Sequence, residues 1–152
     1  MLITIGAISQ PEVFELITTL DTDLACRLTQ SVDLHEYSAK LSKYARFVVA
    51  RSNQKIVGLI AFYENMNAEE IYIPYVCTCM NHRKQGIANL LLNKLIEYSN
   101  SINYNVALEV LKTNSPAVSL YNKFGFEIYS ESDTKYSMRR TVKLDYLDAV
   151  KL

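Results

Sequence analysis

Two short runs hold the residues whose types and spacing fit chemistry. The first is Arg83-Lys84-Gln85-Gly86-Ile87-Ala88, an R-x-x-G-x-A pattern that opens an apolar helical repeat. A helix start leaves backbone N–H groups without intrahelical partners, and the helix dipole places partial positive charge there. Gly86 carries no Cβ, so a ligand phosphate can approach the backbone, and Arg83 and Lys84 add charge at the same place. The run suits a pyrophosphate. It has neither the spacing of a nucleotide P-loop nor the three glycines of the dinucleotide fingerprint. The second run is Asn114-Ser115-Pro116-Ala117-Val118-Ser119-Leu120-Tyr121-Asn122-Lys123-Phe124-Gly125-Phe126. It predicts a short helix that starts at Asn114-Ser115-Pro116, presents Tyr121 and stops at Gly125. A positioned tyrosine hydroxyl can give a proton to a leaving group. Tyr121 also stands in register with Val118 and Phe124, as a core tyrosine would in a chain with 11 tyrosines.

Other candidates carry a plainer alternative. Cys77 and Cys79 share a strand face and suggest metal, but without a second ligand pair two small apolar strand residues explain them. His82 adjoins the basic turn and reads as exposed or at a cofactor's edge. His35, Glu36 and Tyr37 lie on a helix whose polar side is read as solvated, with facing a substrate as the alternative. Phe62, Tyr63, Tyr72 and Tyr75 lie on strands, most of them as core, with one or two able to wall an acceptor pocket.

The elements that must position these residues follow from periodicity. Residues 2–7 alternate apolar and polar, as a half-buried strand does. Gln10-Pro11-Glu12 reads as a helix start, with Val13, Leu16, Ile17 and Leu20 at helical spacing until Asp21. Residues 33–44 form a second helix, with Leu34, Tyr37 and Leu41 on one side. Residues 45–51 and 55–64 make a hairpin around Ser52-Asn53-Gln54. Residues 70–79 form the central strand, with Ile71, Ile73, Tyr75, Cys77 and Cys79 on one face and Tyr72, Pro74, Val76 and Thr78 on the other. Pro74 has no N–H for the ladder, so a bulge or splayed edge is expected beside it. An amphipathic helix over 85–101, a strand over 105–111 and a helix over 114–124 come next. Residues 126–130 and 136–142 close as an antiparallel pair, and 144–152 read as a short helix or a tail. Three consecutive strands followed by a β–α–β crossover imply a mixed α/β sheet with helices on both faces.

Read as a pair, the two runs resemble the signatures of the N-acetyltransferases of the GNAT family. The first signature, R/Q-x-x-G-x-G/A, is matched at Arg83, Gly86 and Ala88. The second, N-x-x-A-x-x-L-Y-x-K-x-G-F, is matched at Asn114, Ala117, Leu120, Tyr121, Lys123, Gly125 and Phe126. The element order agrees with the family from about residue 2 to residue 140. The resemblance implies a mostly antiparallel sheet of six to seven strands with a central splay. It implies one acetyltransferase domain over 1–152, with its core at about 2–142 and a tail over 143–152. It also implies acetyl-coenzyme A as co-substrate and no metal. Backbone groups near Val76 and Thr78 would pair with the pantetheine arm, and an N–H near Cys77 or Thr78 would face the oxyanion. Arg83 and the amides of Lys84, Gln85, Gly86, Ile87 and Ala88 would hold the pyrophosphate, while Asn114, Ala117 and Lys123 would flank the cofactor. Tyr121 would stand near the sulfur as general acid. Glu109, in the run Leu108-Glu109-Val110, looks like the base of the ribosomal-protein N-terminal acetyltransferases; the alternative is a strand-face glutamate. Some relatives place a glutamate in mid central strand, where this chain has Tyr75, Val76 and Cys77.

Composition bounds the acceptor. Lys+Arg and Asp+Glu balance at 16 each, which gives no electrostatic reason to expect nucleic acid, an anionic membrane or a strongly charged substrate. No apolar run reaches the roughly 20 residues of a membrane span. The first five residues do not read as a signal peptide, and three cysteines suit a reducing compartment better than a disulfide framework. The expected location is the cytoplasm, and a homodimer is left open. The expected activity is acetyl transfer to the primary amine of a small molecule, such as an amino sugar or amino acid derivative. A ribosomal-protein type N-terminal acetyltransferase and a silent acyl-coenzyme A-binding module are the alternatives.

Overall fold

The computed structural model describes residues 1–20, 33–79 and 82–142. Its elements are β1 (Leu2–Gly6), α1 (Gln10–Leu20), α2 (Leu34–Tyr44), β2 (Arg46–Ser52), β3 (Lys55–Asn65), β4 (Glu70–Thr78) and α3 (Ile87–Ile102), followed by β5 (Asn105–Leu111), α4 (Ser115–Lys123), β6 (Glu127–Glu131) and β7 (Lys135–Arg140). Each predicted element of the described residues is present, with ends shifted by a residue or two. Cys26, the break at Asp21 and the tail over 143–152 lie outside the described residues. The seven strands form one sheet in the order β1-β2-β3-β4-β5-β7-β6. Every neighbouring pair is antiparallel except β4 and β5.

Apolar side chains cover both faces. Leu91, Leu92 and Leu95 of α3 pack with Val48, Ile60, Ile71, Val106 and Leu108 in one cluster. Val13 and Ile17 of α1 and Leu41 of α2 pack with Phe47, Val49 and Leu59 in a second. Each buried leucine contributes about 2 kcal/mol relative to exposure. A polar tie also fixes α3: Arg46 contacts Glu64 at 3.0 Å and the Tyr98 hydroxyl at 2.6 Å, and that hydroxyl donates to Glu64.

The decisive local feature is at Pro74. Parallel pairing of β4 with β5 runs from Glu70 opposite Asn105 to Ile73 opposite Leu108 and then stops. On the other side, Tyr63 of β3 opposes Tyr72 and Ala61 opposes Tyr75, so Ile73 and Pro74 together stand against Phe62. This is a bulge, and a residue without an N–H is suited to it. The expected bulge and the expected splay therefore both occur at Pro74. One consequence corrects the sequence reading. Ile71 and Ile73 pack in the α3 cluster, but Tyr75 and Cys77 pack in the α1–α2 cluster. A one-residue slip exchanges the faces of every later residue, so the four do not share a face.

Candidate active site

Beyond Pro74 the diverging strands leave a cleft of about 440 Å³. Val76, Cys77 and Thr78 of β4 form one wall. Cys79 donates its N–H to the Val57 carbonyl at 2.8 Å. N–H groups alternate sides along a strand, so those of Val76 and Thr78 turn toward the splay and that of Cys77 toward β3. Cys77 is disulfide-bonded and Cys79 is a free thiol. The reading of the cysteines as reduced is corrected at Cys77.

The floor of the cleft is the turn into α3, through Arg83, Lys84, Gly86, Ile87 and Ala88. Lys84 has φ 63° and Gly86 has φ 77°, both left-handed. Alternating hands turn successive N–H groups toward one concavity, which favours an anion. The helix begins at Ile87 rather than at the expected Gln85, because left-handed Gly86 is its N-cap and makes no side-chain cap bond. The Gly86 carbonyl accepts from Leu90 at 3.1 Å, so the amides of Ile87, Ala88 and Asn89 precede the first intrahelical bond. A Cβ built on Gly86 meets nothing within 4 Å, so the space above the cradle is open to a phosphate. The Arg83 side chain bends back, its Nε donating to the Thr78 carbonyl at 3.3 Å, and it ties the cradle to the end of β4. Gln85 is exposed and does not line the cleft.

α4 forms the opposite wall with Asn114, Ala117 and Tyr121. Asn114 is its N-cap, the side-chain oxygen accepting from the Ala117 N–H at 3.3 Å. The two motif residues thus act on each other to start the helix. At the other end Phe126 N–H donates to the Tyr121 carbonyl at 3.0 Å and Gly125 N–H to Asn122 at 3.1 Å, with Gly125 at φ 88°. This pair of bonds is a Schellman stop. It brings the Phe126 ring to 5.6 Å from the Tyr121 ring. The run from Leu120 to Phe126 is therefore a device that seats Tyr121 against a core phenylalanine. Tyr121 is 7% exposed, and burial pushes its phenol up to about 12. Lys123 stays outside the cleft, with Nζ 3.4 Å from Asn89 Oδ1, and joins α4 to the first turn of α3.

The cleft also takes in His82, Asn89, Pro116 and Leu120. Asn89 follows the cradle directly and belongs to neither motif. The His82 Nδ1 is enclosed without a hydrogen-bond partner among the described residues. Glu109 does not line the cleft. It lies on the other face of β5, half exposed, with Lys135 Nζ 3.8 Å from its carboxylate. His35 stacks on Phe14 at 4.0 Å, which joins α2 to α1. Among the described residues no group of three or more metal-ligating side chains occurs.

A turn of alternating hands at a helix start, a splayed central strand and a buried phenol thus line one cleft. The chain belongs to the acetyltransferase (GNAT) family, whose model matches residues 12–126. Solved structures with the same fold include a ribosomal-protein alanine N-acetyltransferase from Escherichia coli, 15% identical, covering 95% of this chain and 96% of that one at a TM-score of 0.73. The PaiA N-acetyltransferase of Thermoplasma acidophilum in complex with coenzyme A is 16% identical over 93% of this chain and 99% of that one, at a TM-score of 0.73. A spermidine N-acetyltransferase chimera from Vibrio cholerae and hSSAT is 19% identical over 93% and 96%, again at 0.73. UPF0157 protein YqkA of Bacillus subtilis is 29% identical over 89 residues, which are 57% of this chain and 24% of that protein. The chain therefore spans about a quarter of the length of that curated relative.

Proposed function

We propose that the protein transfers the acetyl group of acetyl-coenzyme A to the primary amine of a small molecule, an amino sugar or amino acid derivative. One observation carries the reading: a single cleft runs from the Gly86 cradle past the unpaired edge of β4 to Tyr121. Residues 1–152 act in this reading as one acetyltransferase domain. The open backbone of Lys84, Gly86, Ile87 and Ala88 would hold the pyrophosphate, with Asn114 and Ala117 at its flank. Val76 N–H would pair with the pantetheine arm as an added strand does.

Acetyl-coenzyme A supplies a thioester open to attack by a neutral amine. The new C–N bond makes a tetrahedral oxyanion, for which the splay-facing Thr78 N–H is the donor. The C–S bond then breaks and the sulfur takes the Tyr121 proton. A phenol held at about 12 is fully protonated at neutral pH and remains able to donate. The amine's own proton leaves on the opposite face, where Glu109 is the candidate base through water. We assign the cytoplasm from the supply of the acyl donor rather than from the cysteines.

The test is thiol release from acetyl-coenzyme A across a panel of amines, with coenzyme A binding measured by calorimetry. Binding with thiol release supports the reading. Binding with no release from any amine or peptide would identify a silent acyl-coenzyme A module. Release only with peptides bearing a free N-terminus would favour a ribosomal-protein type enzyme, the reading that the run Leu108-Glu109-Val110 supports.

A further inference from the structure

The sheet face turned away from the cradle carries a second cluster, which the cleft does not use. The β3–β4 register sets Tyr63 against Tyr72, the β4–β5 register sets Tyr72 beside Ala107, and Ala107 opposes Arg139 of β7. Directly opposed residues share a face. The bulge at Pro74 adds Tyr75 to that face, and α2 lays Tyr37 over it, edge-to-face with Tyr75 at 6.4 Å. The Tyr37 hydroxyl donates to the Pro74 carbonyl at 3.5 Å. Pro74 is where β4 leaves β5, so this phenol marks the point at which the splay opens through the sheet. Glu109 stands two residues beyond Ala107 on the same face. Tyr72 is 36% exposed, so its ring is open to a ligand, while Tyr129, 52% exposed, is covered on one face by Arg139. The Tyr63 hydroxyl is enclosed without a hydrogen-bond partner among the described residues.

The ionic groups of this face are already matched. Arg139 lies 4.1 Å over the Tyr129 ring and 2.8 Å from Glu70, Lys135 lies 3.8 Å from Glu109, and Lys40 lies 5.9 Å over the Tyr63 ring. Cations thus sit over two of the rings, and Glu70 and Glu109 each face a basic side chain. Burial first, and then Tyr63 and Tyr72, push Tyr37 up to about 12, so its phenol stays uncharged at neutral pH. A second positive charge on the acceptor would have to displace one of these native cations. A flat uncharged body would instead gain ring contact and lose only water.

We propose that this tyrosine-lined face seats the acceptor, and that it selects a primary monoamine with a flat uncharged body, of the arylalkylamine or aromatic amino-acid amide type, over a polyamine. The inference rests on the reading of the cleft as the acyl-donor site. The amine reaches the thioester through the opening at Pro74, from the side opposite the cradle.

Thiol release with phenethylamine, phenylalaninamide, glucosamine and spermidine tests it. The expected kcat/KM for the two aryl amines exceeds that for spermidine by at least tenfold. Tyr72→Ala is expected to raise KM for phenethylamine at least tenfold while calorimetric coenzyme A affinity stays within twofold of the native value. Tyr129→Ala, at a more exposed site, should raise the same KM severalfold should Tyr72→Ala fail to fold. Spermidine used as well as the aryl amines, an unchanged KM in these variants, or release from none of the four amines with coenzyme A bound would each overturn the acceptor face and leave the donor site standing. Absence of coenzyme A binding in the native protein would remove the donor reading itself.

Discussion

The cleft and the tyrosine face lie on opposite sides of one splayed strand and are built by different means. The cleft is assembled from short-range devices: left-handed Lys84 and Gly86, the Asn114–Ala117 cap and the Schellman stop at Gly125. Each joins residues a few positions apart. The tyrosine face is assembled from register across β3, β4, β5 and β7, with α2 laid on top. Its phenols come from positions 37, 63, 72, 75 and 129, and no local pattern links them. Local motifs resist drift in the rest of the fold, whereas a face set by register can change occupant when one strand slips. The cleft is thus fixed by local backbone states, and the tyrosine face by register.

The sharpest way to separate the two is Tyr121→Phe. It keeps the ring against Phe126 and removes the proton. Turnover should fall by about 100-fold or more, the usual scale for loss of a general acid, with coenzyme A affinity nearly unchanged. Steady-state thiol release beside calorimetry reads both, and near-native turnover would remove Tyr121 from the chemistry. Phe126→Ala attacks the device that seats Tyr121. Phe126 is 2% exposed, so its loss should cost about 3–5 kcal/mol of stability, read from the urea midpoint.

Alkaline titration comes next in size. The folded Tyr121 pKa of about 12 lies above the ordinary 10, so the folded state holds this proton more tightly. Its contribution is complete below pH 10 and is lost as pH rises toward about 12. Two units correspond to about 3 kcal/mol. Tyr121→Phe should flatten the fall in stability between pH 10 and 12, measured by denaturant unfolding at each pH. The smallest effect is expected at the cradle. Gly86→Ala meets open space but must hold a left-handed φ of 77°. The strain costs about 1 kcal/mol, so coenzyme A affinity should weaken about fivefold with no change in KM for the amine. A larger loss in amine KM than in coenzyme A affinity would show that the two regions are not separable.

Much of the cleft was legible in the sequence for the same reason that it is robust. Glycine at a helix start, asparagine three residues before alanine, and glycine before phenylalanine each report a local backbone state. Pro74 announced both the bulge and the splay, since a missing N–H can be placed only where pairing fails. The faces of β4 beyond Pro74 were misread because strict alternation does not count a bulged residue. Glu109 could be placed on its strand but not on a side of the sheet, and Asn89 had no signal beyond its position after the cradle.

The sequence by itself determined the order of elements, the anion cradle, and the helix cap and stop that hold Tyr121, because each depends on backbone preferences within a turn or two. Tertiary structure alone decided which side of β4 the bulge at Pro74 turns each later residue to, so that Tyr75 joins Tyr72 on the far face, and that Glu109 stands with them rather than beside Tyr121. Those outcomes depend on which strands pair and in what register, and register is set by the packing of the whole sheet.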